Sequence, residues 1–386
     1  MPDRLTRDFE RFRIGLPREA AAHIRETYGV DLTARYLGVP IPHPIGKGSG
    51  QLSLNADQLE SDRAAGLAFV VLKTVIAEDA TGERSMAAWA VHETRMRVER
   101  RRAADGQEGW TVTWKGRGWD RSFDDYLALV RLAGDLTRSG VLLTVPSVKY
   151  HLPRLDEPFR DEEYRHTTAR LAEAWGAGPL PIEKDFSPTL AGDALADEQE
   201  RILRWLREVP RRIRSAARPA PVRLALKLMN ARFGEAFQLE MMAAAAEADA
   251  LVCFNRLWDD VARVAYGGRD LSQRNLRVLH AALSAGRPAK APALVGTGDV
   301  HSGRLVLDYA RAGCESVALH TFFQLPLGEY PATAGSRTER ALHALLFHPV
   351  DGLVAGMLEL EREGVLHRRD GELHFLDLCE GGRAAA

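Results

Sequence analysis

Short, almost wholly apolar runs alternate along the chain with longer stretches in which apolar residues recur at helical spacing. The runs lie at 69–72, 141–145, 180–182, 222–228, 250–254, 293–295 and 316–319, and a further one at 44–49 makes eight. Between most of them stand helical patterns such as DDYLALVRLAGDL, DEEYRHTTARLAEAW, DEQERILRWLREVPRRI, FGEAFQLEMMAAAAEA and LSQRNLRVLHAALSAG. A strand that is apolar throughout, rather than at alternate positions, suits a sheet covered on both faces, which is the habit of parallel sheets. Eight strand-then-helix units predict an α/β fold closed as a parallel (β/α)8 barrel of the TIM class, in preference to an open doubly wound sheet.

The pattern also marks what lies outside those units. Residues 1–30 read as a charged helical extension, whose second helix starts after Pro17 and stops at Gly29. The barrel domain is expected to occupy 31–386, with insertions at about 78–121 and 191–221. Loops that follow strands sit on the active face of such a barrel, so the first insertion is a candidate lid. A C-terminal helical stretch at 337–364, interrupted near Pro349, would close the domain.

Composition narrows the functional classes. Lys plus Arg is 52 against 53 for Asp plus Glu, a formal charge of −1, which gives no general attraction for nucleic acid or anionic membrane. Cys253, Cys314 and Cys379 lack metal-ligand or CxxC spacing and argue against disulfide frameworks and iron–sulfur clusters. The N-terminus carries no apolar leader and no run of about 18 apolar residues occurs, so the expectation is a cytoplasmic protein that does not enter membranes.

Polar residues at strand C-termini point into the mouth of a barrel, where chemistry is done. Lys73 and Thr74 end the run AFVVL, and Lys227 repeats the pattern in LALKLMN. A lysine buried at such a position needs an anion or an acceptor. Asn255 follows LVCF, and can serve either a planar heterocycle or loop backbone; His320 and Thr321 end the last strand. Ser187, before Pro188, is a turn former or a catalytic group. In GTGDVHSGRLVLDYARAG, Gly296, Gly298 and Gly303 precede a helix that Ser302 can cap, an arrangement suited to a phosphate or to a tight turn alone.

Taken in order, DLTARYLGVPIPHPIGKGSG, FVVLKTV, VRLALKLMN, ADALVCFN, YGGRDLSQRNLRVLH, GTGDVHSG and LHTFF resemble the successive motifs of dihydroorotate dehydrogenase-like FMN-dependent barrels. The resemblance covers roughly residues 31–364 and implies FMN as cofactor. It implies that Gly48 and Ser49 lie by the flavin ring and that Lys73, with Thr74, faces its N1 and C2-carbonyl side. Lys227 would also contact FMN, and Gly298, His320 and Thr321 would stand at its phosphate end. Asn255, Lys184 and Thr189 would meet the substrate, and Ser187 would be the base that removes a proton as hydride leaves for the flavin.

The departures are specific. Lys184 and Thr189 stand where the family has asparagines, as does Thr113 before the lid glycine, which argues against dihydroorotate as the substrate. Asp299 replaces a glycine of the phosphate turn and His320 the glycine before Thr321. The expectation is hydride transfer between FMN and a small polar or anionic substrate, with a soluble electron acceptor or redox protein and a second copy of the chain as partners. Two alternatives use the same mouth. One is a hydrolase or lyase with a metal on Asp299, His301 and His320 with Asp185 or Glu183, or with a Schiff base on Lys73 or Lys227; the other is a barrel that binds ligand without catalysis.

Overall fold

The fold is taken from a computed structural model, which describes residues 2–86, 95–102, 106, 108–115, 118–186, 199–231, 233–259 and 264–384. Ten parallel strands form one curled sheet flanked by helices. In chain order they are β1 (Ile45–Lys47), β2 (Phe69–Val71), β3 (Val75–Ile76), β4 (Leu143–Val145), β5 (Ser147–Lys149), β6 (Leu180–Asp185), β7 (Val222–Met229), β8 (Ala250–Asn255), β9 (Ala293–Gly296) and β10 (Cys314–Leu319). The hydrogen-bonded order is β3, β5, β6, β7, β8, β9, β10, β1, β2, β4.

Every apolar run in the sequence that was expected to be a strand contains one. The run at 141–145 extends further than its hydrophobicity suggests, because β5 resumes directly after Pro146. Proline removes one donor from the ladder without ending the pairing. Leu72 donates its N–H to the Val145 carbonyl at 2.9 Å and Ala77 to that of Lys149 at 2.8 Å, so β2 with β3 stays alongside β4 with β5 past the interruption.

Helix Phe123–Arg138 begins with a reciprocal cap: the Ser122 hydroxyl accepts from the Asp125 N–H at 3.1 Å, and the Asp125 carboxylate accepts from the Ser122 N–H. Residues 199–216 form the crossover helix Gln199–Ala216 between β6 and β7, packed between helices Asp161–Trp175 and Glu235–Ala244, so this part of the expected second insertion is framework and not lid. The N-terminal helices belong to the core. Leu5, Phe9 and Phe12 are buried, and Phe9 stacks on His343 of helix Arg337–Phe347 with ring centroids 4.4 Å apart. The C-terminal stretch breaks around Pro349 into Arg337–Phe347 and Leu353–Arg362, as expected. No helix among the described residues is long and apolar enough to cross a membrane.

Over the C-terminal ends of the strands lies a second, antiparallel sheet of four strands, in the order Leu257–Asp259, Val264–Gly268, Glu108–Lys115, Arg95–Arg102. The expected lid insertion therefore supplies a hairpin, and the segment after β8 joins it through pairs such as Thr113 with Tyr266.

Candidate functional site

The two sheets border one partly open cavity. Its floor is made of small residues at the end of β1 and β10, Gly48, Ser49, Gly50 and Ala318, while Gly267, Gly268 and Gly298 form part of the opposite wall. Four cationic side chains from four different strand ends converge on it: Lys73, Lys149, Lys227 and Arg256. One carboxylate, Asp185 at the end of β6, faces them, and a second, Glu183, lies buried beneath.

The electrostatics of this cluster are tightly linked. Lys227 Nζ is 3.3 Å from Glu183 and 3.7 Å from Asp185. Burial alone would lower its pKa, but these two carboxylates outweigh that and raise it. Asp185 has the opposite balance: burial would raise its pKa, and Lys227, Lys149, Lys184 and Arg256 together hold it below the usual carboxylate range. Glu183, fully enclosed, is raised by burial despite Lys227. Lys73 is driven well below the ordinary lysine value by burial and then by Arg256, Lys149 and Lys227. Lys149 is lowered by burial, with Asp185 opposing, and Arg256 is lowered to about 10 by burial.

Hydroxyls link the floor to the buried acid. Ser49 Oγ lies 2.8 Å from Thr74 Oγ1, which is 2.9 Å from Ser147 Oγ and donates to Asp185 at 3.4 Å. Ser147 in turn donates to Glu183 at 3.4 Å, and the Tyr36 hydroxyl reaches the other oxygen of Glu183 at 3.4 Å. His320 sits directly over Gly50, where a Cβ would lie 2.0 Å from its Nε2, so only glycine leaves room for the ring. Burial and the surrounding cations keep its imidazole well below the usual pKa, hence neutral.

At the far wall Gly298 holds φ +96° and Asp299 φ +55°. The Asp299 carboxylate is not bare. It accepts from Ser272 at 3.1 Å, lies 3.9 Å from Arg269 and 3.3 Å from His301, whose pKa it raises through that contact. Helix Gly303–Arg311 starts as expected from Ser302, whose hydroxyl accepts from the Leu305 N–H at 3.2 Å.

Of the residues singled out in the sequence, Gly48, Ser49, Lys73, Thr74, Lys227, Asn255, Gly298, His320 and Thr321 all line this one cavity. Ser187 and Thr189 lie outside the described residues. Lys184 is not among the lining residues: it is fully buried, donates to the Asp185 carbonyl at 3.1 Å, stands over the Phe186 ring, and is lowered to about 7 by burial. The substrate contact expected of it is not made from that position. Thr113 is buried in the lid, where its neighbour Val112 provides the lining. Lys149 and Arg256 were missed, the first because it follows Pro146 and the second because it follows the amide that drew attention.

The residues present suit a flavin mononucleotide in three respects. The floor is small enough for a flat ring to lie on, cations stand beside it, and the Gly298 turn with Thr321 offers a donor-rich end whose one carboxylate is already partnered. A metal fits less well. Among the described residues the one group of three ligand atoms close enough to share an ion is Asp31, Glu372 and His374, none of which lines the cavity, and Arg25 donates to Glu372 at 2.7 Å through both Nε and Nη2. In comparisons with known proteins, the chain matches no family model and no curated protein.

Proposed function

We propose that the curled sheet closes as a (β/α)8 barrel and that the chain is an FMN-dependent oxidoreductase acting on a small anionic substrate. Closure is supported by the ladder: β2 with β3, and β4 with β5, each act as one interrupted strand, and their pairing joins the two ends of the hydrogen-bonded order. The function rests above all on Lys73 and Lys227 lining one cavity with the small-residue floor and the Gly298 turn, as the resemblance to dihydroorotate dehydrogenase-like flavoproteins requires.

Bound there, FMN would supply a two-electron acceptor for hydride. Lys227 would hold positive charge beside the ring and Lys73 would donate a hydrogen bond to it, which favours the state in which negative charge has developed on it. Gly48, Ser49 and Gly50 would support the ring face, and Gly298 and Thr321 the phosphate. Lid residues Val112 and Gly268 would cover part of the ring. The proton acceptor is assigned by the resemblance to Ser187.

Titrating FMN into flavin-free protein, followed by quenching of flavin fluorescence, tests the reading. Saturable binding that weakens in Lys73→Met and Lys227→Met supports it, and unsaturable quenching equal to that of an unrelated protein refutes it.

One observation favours a second reading. Burial lowers the pKa of Lys73 and of Lys149, which favours the unprotonated, nucleophilic amine, and both line the cavity, so either could form a Schiff base with a carbonyl substrate. Borohydride trapping of pyruvate on either lysine, read by mass spectrometry, would favour that class.

A further inference from the structure

Beneath the cavity floor, hydroxyls connect the cavity to the buried Glu183 carboxylate, and their order follows from the strands. Along β6 alternate residues point to opposite sides, so Glu183 and Asp185 both meet Lys227 while Lys184 stands over Phe186 on the other side. The ladder sets Ser147 of β5 against Glu183. Thr74 fills the gap between Ser147 and the floor, 2.9 Å from Ser147 Oγ and 2.8 Å from Ser49 Oγ. Each hydroxyl carries one proton, which sets the directions along the line. Ser147 donates to Glu183 at 3.4 Å, so Thr74 donates to Ser147 and Ser49 donates to Thr74. Every proton then points toward Glu183, and the Ser49 oxygen is left to accept from the cavity that it lines. Thr74 can instead turn its proton to Asp185 at 3.4 Å, which makes Asp185 a branch of the line.

Glu183 is fully enclosed and is not among the residues that line the cavity. It faces Lys227 of β7, the Tyr36 hydroxyl of strand Ala34–Tyr36 and Tyr126 of helix Phe123–Arg138, besides Ser147 and Asp185. Of the two carboxylates it is the better base: burial raises its pKa, whereas at Asp185 the neighbouring cations outweigh burial and hold the pKa low. Lys227, kept as an ammonium by those carboxylates, has no lone pair and cannot pass a proton in place of the hydroxyls.

We propose that Glu183 is the final holder of a proton released in the cavity, which reaches it from Ser49 through Thr74 and Ser147. The released proton bonds to Ser49 Oγ, the Ser49 proton passes to Thr74, that of Thr74 to Ser147 and that of Ser147 to Glu183. Glu183 ends as a neutral carboxyl beside the Lys227 ammonium. In the proposed function this is the proton that the substrate loses as hydride leaves for the flavin. A serine hydroxyl passes such a proton on and does not keep it, so the reaction needs a holder. The role in hydride transfer rests on the proposed function, and the line of hydroxyls does not.

The test reads the Glu183 carboxyl in the purified full chain, labelled with isotopic glutamate, by infrared difference spectroscopy over a pH series and then on transfer into heavy water. The parent should show a carboxylic acid band, missing from Glu183→Gln, that is half developed at a pH above the unperturbed glutamic acid value of about 4.3. In heavy water that band shifts as its proton exchanges. Thr74→Val, which keeps the shape and removes the hydroxyl, and Ser147→Ala should each slow the shift about tenfold or more, because the proton then waits for local opening. Thr74→Ser should return the parental rate, which a packing role for Thr74 would not require. Circular dichroism shows which variants fold, and Ser147→Ala decides the matter if Thr74→Val does not. An unslowed shift in a folded variant overturns the proposal, as does slowing that Thr74→Ser fails to reverse. So does a Glu183 band half developed at or below about 4.3. Flavin content read on the same samples separates the two claims: colourless protein with the exchange pattern intact removes the flavin reading alone, and yellow protein without it removes the proton line alone.

Discussion

Replacing Gly298 by alanine probes the wall that separates the cavity from helix Leu271–Ser284. The residue holds φ +96°, beyond the left-handed well that side chains tolerate, and an added Cβ would lie 2.6 Å from Asn275 Nδ2, 3.2 Å from Leu271 Cβ and 3.2 Å from the Phe254 carbonyl. Asn275 cannot yield cheaply, because its amide donates to Phe254 at 2.9 Å and to Thr297 at 2.8 Å. Backbone strain contributes about 1–2 kcal/mol and overpacking about 1–3 kcal/mol, so the substitution should cost roughly 2–5 kcal/mol. For a chain of 386 residues the melting entropy converts this to a fall of about 2–6 °C in Tm. Gly66→Ala is the matched control: φ is +73° and nothing stands within 4 Å of the added Cβ, so only the backbone cost remains. Differential scanning calorimetry of both variants makes the comparison. If Gly298→Ala melts no lower than Gly66→Ala, the close approach of Asn275 to this wall is wrong and with it the shape ascribed to the cavity.

Further substitutions at three places test other parts of the fold. Ser122→Ala removes the reciprocal cap of helix Phe123–Arg138 and should lower stability by about 1 kcal/mol in urea denaturation; no change would contradict the cap. Asp62→Ala leaves the buried Lys47 amine without its carboxylate and should cost about 3–5 kcal/mol, whereas Lys47→Met with Asp62→Leu should be close to neutral; equal losses would show that the pair does not act as a unit. Asp8 is held below its ordinary pKa because hydrogen bonds from His23 and Tyr28 outweigh the opposing effect of burial. Its contribution is therefore present above the unfolded carboxylate value of about 3.9 and is lost as pH falls through the lower folded value. Asp8→Asn should flatten the acid limb of Tm against pH, and an unchanged limb would place that dependence elsewhere.

Strand positions were legible because a parallel sheet covered on both faces demands continuous apolar runs, and β6 to β10 present them. The same uniformity hid which side chains face inward. All six residues of Leu180–Asp185 are buried, so alternation could not show that Asp185 enters the cavity while Lys184 does not. Pro146 reads as the end of a strand, although the ladder continues to Lys149. The lid depends on pairing Thr113 with Tyr266, a contact between segments about 150 residues apart that no local pattern announces. Gly298 was legible for a different reason: any side chain there meets Asn275, and its place in a short glycine-bearing loop after a strand marked it, whereas Gly50, which must leave room for His320, was not singled out beside Gly48 and Ser49.

FMN in this cavity would colour the protein, so the decisive measurement is the visible absorption spectrum of natively purified protein, followed by heat release and chromatographic identification of any chromophore. The expected result is flavin bands and FMN released at close to one per chain. Colourless protein that also fails to take up added FMN would contradict it, and would leave the cations at Lys73, Lys149, Lys227 and Arg256 to a different chemistry.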